Sequence, residues 1–153
     1  MSLVKKDIFE WIAQKATERG VSDIIPIIAD RSEKKNLNTE RLQKIIIEAA
    51  EQSGRSSLPV LHEICELDEV LGDSEKIWGN DSTLLVFDIT AEKFSIEDVR
   101  HTQKIVVFIG PEGGWTPAEI ETFKNTDIAI RSLGPQVLRA ETAVVAALAQ
   151  LVF

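Results

Sequence analysis

The sequence is poor in the residues that build covalent or metal-held scaffolds: it has one cysteine, Cys65, and two histidines, His62 and His101. A lone thiol excludes an intrachain disulfide and any multi-thiolate metal site, and it fits a reducing, cytoplasmic compartment. Neither histidine has ligand-type partners at metal-binding spacing, so no metal is expected and both read as surface or packing residues. Long hydrophobic runs are missing too. Stretches such as Ile45–Ile47 and Ile105–Ile109 fall far short of the roughly 20 residues a membrane-spanning helix needs, and no signal or transit pattern is visible. No internal repeat, low-complexity tract or linker interrupts the chain. Positive charge is scarce, with 17 Lys and Arg against 25 Asp and Glu and a formal net charge of −8. That balance disfavours a protein that grips nucleic acid over its whole surface, because phosphate contacts come chiefly from Lys and Arg.

What is present is enough apolar material for one core. In 153 residues, 44% are hydrophobic and spread in short runs, which suits one ordinary domain. The charge is uneven: Glu63, Glu66, Asp68, Glu69, Asp73 and Glu75 crowd one stretch, and Arg31, Lys34, Lys35, Arg41, Lys44 and Arg55 lie just upstream. Each cluster alone reads as solvated surface, while a local basic face stays open as an alternative.

Periodicity alternates between helix and strand. Met1–Leu3 precedes the first helical pattern abruptly and is compatible with a vector scar, leaving 4–153 as the domain. Ile8, Phe9, Ile12, Ala13 and Ala16 recur at helical spacing, with Gly20 as the stop. Ile24–Ile28 is β-branched and broken by Pro26, which reads as a strand with its proline at an edge or end. Asn38 or Thr39 caps the next helix, whose Leu42, Ile45, Ile46, Ala49 and Ala50 mark one buried face. Val60–Leu61 reads as a strand and Leu67–Leu71 as a short helix. Thr83–Asp88, Lys104–Ile109 and Ile128–Leu133 are near-continuous β-formers, as in parallel strands covered on both faces. Helical segments are expected near Ile96–Thr102, over Pro117–Lys124 and from about Ala140 to Phe153. The sum is an α/β domain with a mostly parallel sheet.

Two segments point to chemistry. In the first, a buried strand enters the turn Gly110-Pro111-Glu112-Gly113-Gly114-Trp115 and then a helix fixed by the capping-box pair Thr116 and Glu119 with Pro117 at the first position. Glycines there let the backbone come close to a ligand, and the carboxyl ends of parallel strands are where α/β sheets bind ligands. The Gly-x-x-Gly-Gly spacing matches neither phosphate-binding fingerprint, and a turn built for geometry alone gives the same pattern. In the second, Leu133-Gly134-Pro135-Gln136-Val137-Leu138-Arg139 leads into a helix with Glu141 and Thr142 in its first turn. Amides at that helix start would hold a polar ligand group. Glu141 equally suits the helix dipole, and Arg139 a nearby carbonyl.

Together, GPEGGWTPAEIE (110–121) and SLGPQVLRAETAVVAAL (132–148) resemble the paired signature segments of the RsmE family, within the SPOUT superfamily of RNA methyltransferases. The stretches KATERGVSDIIPIIADRS (15–32) and RLQKIIIEAAEQSGRSSLPVL (41–61) are similar to the same family in order and spacing. Arg19 departs from the leucine usual there, and the N-terminal PUA-like RNA-binding domain usual in the family is missing, which would account for the acidic balance. The resemblance implies a SPOUT fold, a mostly parallel sheet flanked by helices with a C-terminal deep trefoil knot. It also implies a homodimer; the apolar last helix, Ala143–Phe153, suits such an interface or a monomer core equally.

The implied cofactor is S-adenosyl-L-methionine. Its site would use Phe87 at one strand end, Ile109, Gly110, Glu112, Gly113 and Gly114 at a second, and Leu133, Gly134, Val137 and Leu138 at a third, with Thr142 and Ala143 closing it. The implied reaction methylates N3 of a uridine in small-subunit ribosomal RNA. Arg139 would orient the uracil, a carboxylate at Glu141 or Glu112, or water, would take the N3 proton, and Arg31, Gln52 and Arg55 would contact RNA. Another RNA base, transfer RNA, or a non-catalytic RNA-binding or dimerisation module are the competing readings.

Overall fold

The computed structural model describes residues 1–33, 35–72, 79, 81–126 and 128–151. Lys34 of the basic cluster, Asp73 and Glu75 of the acidic one, and the last two positions of the expected C-terminal helix lie outside the described residues.

The first helix, α1 (Lys6–Glu18), buries Phe9, Ile12, Ala13 and Ala16, and the chain turns off it at Gly20, whose φ is 88°. After it the chain makes β1 (Asp23–Ile24) and β2 (Ile27–Ile28), then α2 (Thr39–Ser53). Of the two candidate caps for α2, Asn38 takes the position: its side chain accepts from the Arg41 amide, and Gly54 closes the far end at φ 71°. Next come β3 (Val60–Leu61), β4 (Cys65–Glu66) and α3 (Leu67–Gly72). The second half holds β5 (Ser82–Phe87), a single 3₁₀ turn at Ile96–Val99, β6 (Lys104–Ile109), α4 (Pro117–Lys124), β7 (Ala129–Arg131) and α5 (Ala140–Leu151).

Every strand pair described is parallel. β1 pairs with β3 and β2 with β4, while β6, β5 and β7 form a three-stranded sheet with β5 in the centre. The expected strand across Ile24–Ile28 is split in two. Pro26 is fully buried at the break, not at an edge: lacking an amide hydrogen it cannot donate to the neighbouring strand, but its carbonyl still accepts from Cys65. The expected strand Ile128–Leu133 is also shorter, because the Ser132 backbone turns away to bond Glu92 and Phe94.

Residues Met1–Leu3, set apart in the sequence reading, sit inside the sheet. The Ile27 amide donates to the Met1 carbonyl at 2.9 Å, the Leu3 amide to the Ile27 carbonyl at 2.8 Å, and the Ser2 amide to the Ile109 carbonyl at 2.9 Å. Three residues thus join the β1/β2 group to β6.

Alternation along the strands sends side chains to two cores, as a sheet covered on both faces requires. Leu85, Phe87 and Ile109 join α1, α2 and α5 on one side, with Leu3, Phe9, Leu42 and Ala147. Val86 and Phe108 join Ile27, Trp115, Phe123 and Ile128 on the other.

Candidate cofactor site

The register of the three-stranded sheet places Phe87 opposite both Ile109 and Arg131. The carboxyl ends of β5, β6 and β7 therefore lie side by side, and the three loops expected to form one site leave the sheet at one edge. This is the position at which open parallel sheets bind ligands.

Trp115 fastens the first two of these ends together. Its buried indole N–H donates to the Phe87 carbonyl at 3.2 Å, and its ring lies edge-on to Phe123 with centroids 5.0 Å apart. A Cβ on Gly110 would come within 3.1 Å of that ring, so Gly110 is required by the indole's approach. Gly113 is bounded by a different partner, since a Cβ there would lie 3.2 Å from Arg31 Cδ. Gly114 is needed for backbone conformation: φ is 68° and its amide closes a tight turn onto the Pro111 carbonyl at 2.9 Å.

The loop leaving β2 braces this turn from outside. Arg31 Nη1 donates to the Gly113 carbonyl at 2.7 Å and to the Trp115 carbonyl at 3.3 Å. Beside it, the Asp30 amide donates to Glu119 Oε1 at 2.9 Å, and Thr116 Oγ1 donates to Asp30 Oδ2 at 3.0 Å. The capping box read from the sequence is formed, with the Thr116 amide on Glu119 Oε2 at 2.7 Å and the Glu119 amide on Thr116 Oγ1 at 3.2 Å. Buried Glu119 thus serves two loops with its two oxygens. Sequence reasoning gave no role to Trp115 or Asp30; their signal was proximity in the chain to the glycine turn and to Arg31.

The third loop is held at its start and open beyond. Ser132 Oγ donates to the Gly134 carbonyl at 2.8 Å and accepts from the Gly134 amide at 3.2 Å. The end of β7 is fixed by Arg131 Nη2 on Asp98 Oδ1 at 2.7 Å. That hydrogen bond is the chief reason the Asp98 carboxyl lies below the usual carboxylate range and the Arg131 guanidinium above its own. Further on, Gln136, Val137 and Leu138 donate no backbone hydrogen bond among the described residues, and Val137 is 84% exposed. Gly134, with φ 144°, has nothing within 4 Å of where a Cβ would stand. At the start of α5, Glu141 is half-buried and its Oε2 is a buried oxygen with no hydrogen-bond partner, while Arg139 and Thr142 are exposed and Ala143 packs on the core.

The expected residues divide accordingly. Gly113, Gly114, Leu133, Gly134, Val137, Leu138 and Thr142 stand on the loops or helix start at this edge, and Glu112 is exposed on the turn with Oε1 accepting from the Lys5 amide at 3.4 Å. Phe87 and Ile109 turn their side chains into the core, and their carbonyls are taken by Trp115 and Ser2. Of the three residues expected at RNA, Arg55 Nη1 points inward to the carbonyls of Thr17 and Val21, both at 2.9 Å. Arg31 spends one nitrogen on the glycine turn, and Gln52 stands exposed on α2 with no side-chain hydrogen bond among the described residues.

A nucleoside with a positively charged sulfonium fits this donor set. Free amides on the third loop suit the heteroatoms of a nucleoside, and the partnerless Glu141 carboxylate suits a cationic ligand or a proton. Fold and site together define a parallel α/β domain of the SPOUT methyltransferase class. Comparison with known proteins agrees: the chain matches the RNA methyltransferase domain over residues 1–152 and belongs to that family. Within it, the resemblance is to ribosomal RNA small subunit methyltransferase E. The protein of that name from Rickettsia conorii is 33% identical over 98% of this chain and 61% of its own, and that from Bacillus subtilis is 33% identical over 92% and 59%. The structure of the same enzyme from Neisseria gonorrhoeae, bound to S-adenosyl methionine, superposes with a TM-score of 0.85 at 35% identity, covering 97% of this chain and 61% of that one. The SpoU methyltransferase AviRb from Streptomyces viridochromogenes shares the fold alone, with a TM-score of 0.61 at 15% identity over 97% of this chain and 55% of that one. The chain spans about three fifths of the length of the curated relatives it matches.

Proposed function

We propose that this chain is the catalytic domain of an enzyme that methylates N3 of a uridine in small-subunit ribosomal RNA in the cytoplasm. The observation that carries the reading is the alignment of three strand ends at one edge, next to a carboxylate oxygen of Glu141 that is buried and without a partner. S-adenosyl-L-methionine, when bound, supplies an electrophilic methyl group. Phe87, Ile109, Gly110, Glu112, Gly113, Gly114, Leu133, Gly134, Val137, Leu138, Thr142 and Ala143 frame its site, several through the backbone that positions a neighbour. Uracil N3 carries a proton that must leave as the new N–C bond forms. Glu141 accepts it, and Glu112, exposed on the turn, is the weaker candidate for that task. Arg139 offers its guanidinium to the negative charge that grows on the uracil oxygens.

RNA contact falls to Gln52 and to the nitrogens that Arg31 and Arg55 do not spend within the fold. A PUA-like domain N-terminal to this one would supply most of the phosphate-binding surface, in keeping with the acid excess of the chain. The C-terminal segment closes the site as a deep trefoil knot, and the apolar α5 contributes to a homodimer interface. Neither metal nor membrane enters this scheme.

Calorimetry with S-adenosylmethionine tests the cofactor assignment: binding is expected in the wild-type chain and is expected to weaken in Gly113→Trp, whose ring would collide with Arg31. No heat at millimolar cofactor would leave a non-catalytic RNA-binding module. Target choice is tested separately, by mapping modified nucleotides after the full-length gene is returned to a deficient strain; methylation confined to transfer RNA would overturn the uridine assignment.

A further inference from the structure

A cavity of about 300 Å³ lies away from the strand ends, as a trench between Ser22–Ile25 and Gln103–Val107. Its apolar walls include Ile12 and Ala16 from α1 and Val144 and Ala147 from α5. Hydrogen-bond parity identifies what the trench receives. The carbonyls of Ser22, Ile24 and Pro26 accept from Val60, His62 and Cys65, so the even-numbered positions face β3 and β4. The odd-numbered positions face the other way and meet the N-terminal residues, with the Met1 amine on the Ile25 carbonyl at 2.9 Å and the Leu3 amide on that of Ile27 at 2.8 Å. Across the trench the Ile109 carbonyl accepts from Ser2, and the two-residue period turns Val107 and Ile105 to the same side. Asp23 and Ile105 thus face each other across a gap that Met1–Leu3 reach only at one end.

Bare strand edges on two sides of an apolar slot are costly unless something pairs with them. We infer that the trench is the seat of a parallel β-strand, supplied by polypeptide directly upstream of Met1. The strand would continue Met1–Leu3 backwards in the same register, giving one sheet in the order β3/β4, β1/β2, this strand, β6, β5, β7. At about 3.3 Å per residue, some five residues cover the stretch opposite Gln103–Val107. Continuity with Met1 selects this occupant over a small apolar ligand, which would leave the facing amides and carbonyls unpaired. Burial also lowers the Met1 amine from 8.0 to about 5, a cost that an ordinary peptide N–H donating the same bond to Ile25 would not incur.

The test compares the 153-residue chain with two forms extended ahead of Met1, one by Thr-Val-Thr-Val-Thr and one by Gly-Ser-Gly-Ser-Gly. The β-forming extension is expected to raise Tm and to slow hydrogen exchange at Asp23, Ile25, Ile105 and Val107 by at least about tenfold relative to the flexible one. Proline directly ahead of Met1 removes the donor facing Val107 and is expected to cancel much of the gain. Equal Tm and equal exchange in the two extended forms would overturn the proposal. So would protection of the same amides in the unextended chain on dimerisation, read by sedimentation, which would assign the trench to a second copy.

Discussion

Arg31 and Gly113 are joined by a 2.7 Å hydrogen bond from the guanidinium to the glycine carbonyl, so the loop leaving β2 holds the turn leaving β6. The methylene stem of Arg31 also fills the space where a Gly113 side chain would stand. Arg31 is in this sense a positioning residue. Arg31→Ala is expected to weaken S-adenosylmethionine binding by roughly tenfold, the scale of one charge-assisted hydrogen bond, with Arg31→Lys intermediate because a point charge lacks the fork. Calorimetry reads this directly, and an unchanged Kd in Arg31→Ala would remove the brace from the account.

Arg55 and Gln52 are expected to separate stability from RNA binding. Arg55→Ala leaves the carbonyls of Thr17 and Val21 without their partner and should cost about 1–3 kcal/mol in denaturant unfolding. Gln52→Ala, at an exposed position, should change stability by less than about 0.5 kcal/mol while weakening RNA binding in a filter assay. The reverse pattern would mean that the structure misassigns both residues.

The Asp98–Arg131 pair sets an acid limit. Its hydrogen bond holds the native Asp98 carboxyl below the usual range, so the stability it contributes is complete above pH near 4 and is lost as pH falls through the lower native value. Asp98→Asn is expected to cost about 1–2 kcal/mol at neutral pH and to cost less than that at pH 3. A constant difference between the two proteins across that range would contradict it.

The Met1 amine gives a slope of opposite origin. Its native value of about 5 is below its ordinary 8.0, so between those values the unfolded chain binds the extra proton and stability rises with pH. The contribution is at most about 4 kcal/mol over the window, and N-terminal acetylation should abolish it. Identical pH profiles for the free and acetylated chains between pH 5 and 8 would show that the amine is not buried as described.

The alternation of helix and strand was readable because each segment carries one clean period: β6 begins and ends where its β-branched run does, and α4 where its capping pair places it. Pro26 was read less well. A proline usually marks an edge, but here strand pairing continues on both sides of it, and only the tertiary arrangement shows that its carbonyl is still used. The site was legible as segments and not as partners. The glycine turn announced itself by composition, whereas the reason for Gly110 is an indole five residues on and the reason for Gly113 is an arginine from another loop. Arg55 shows the same limit. A cation near the end of a helix looks alike in sequence whether it faces solvent or turns inward to backbone carbonyls.

The seating of Ser2 between Ile27 and Ile109 also has a temporal side. During synthesis the first residues leave the ribosome long before β6 exists, so this stretch must wait, half-paired at best, until most of the chain has emerged. Contacts spanning so much sequence close late and slowly. A chaperone that shields the leading end would find its task finished only when the glycine turn has been made.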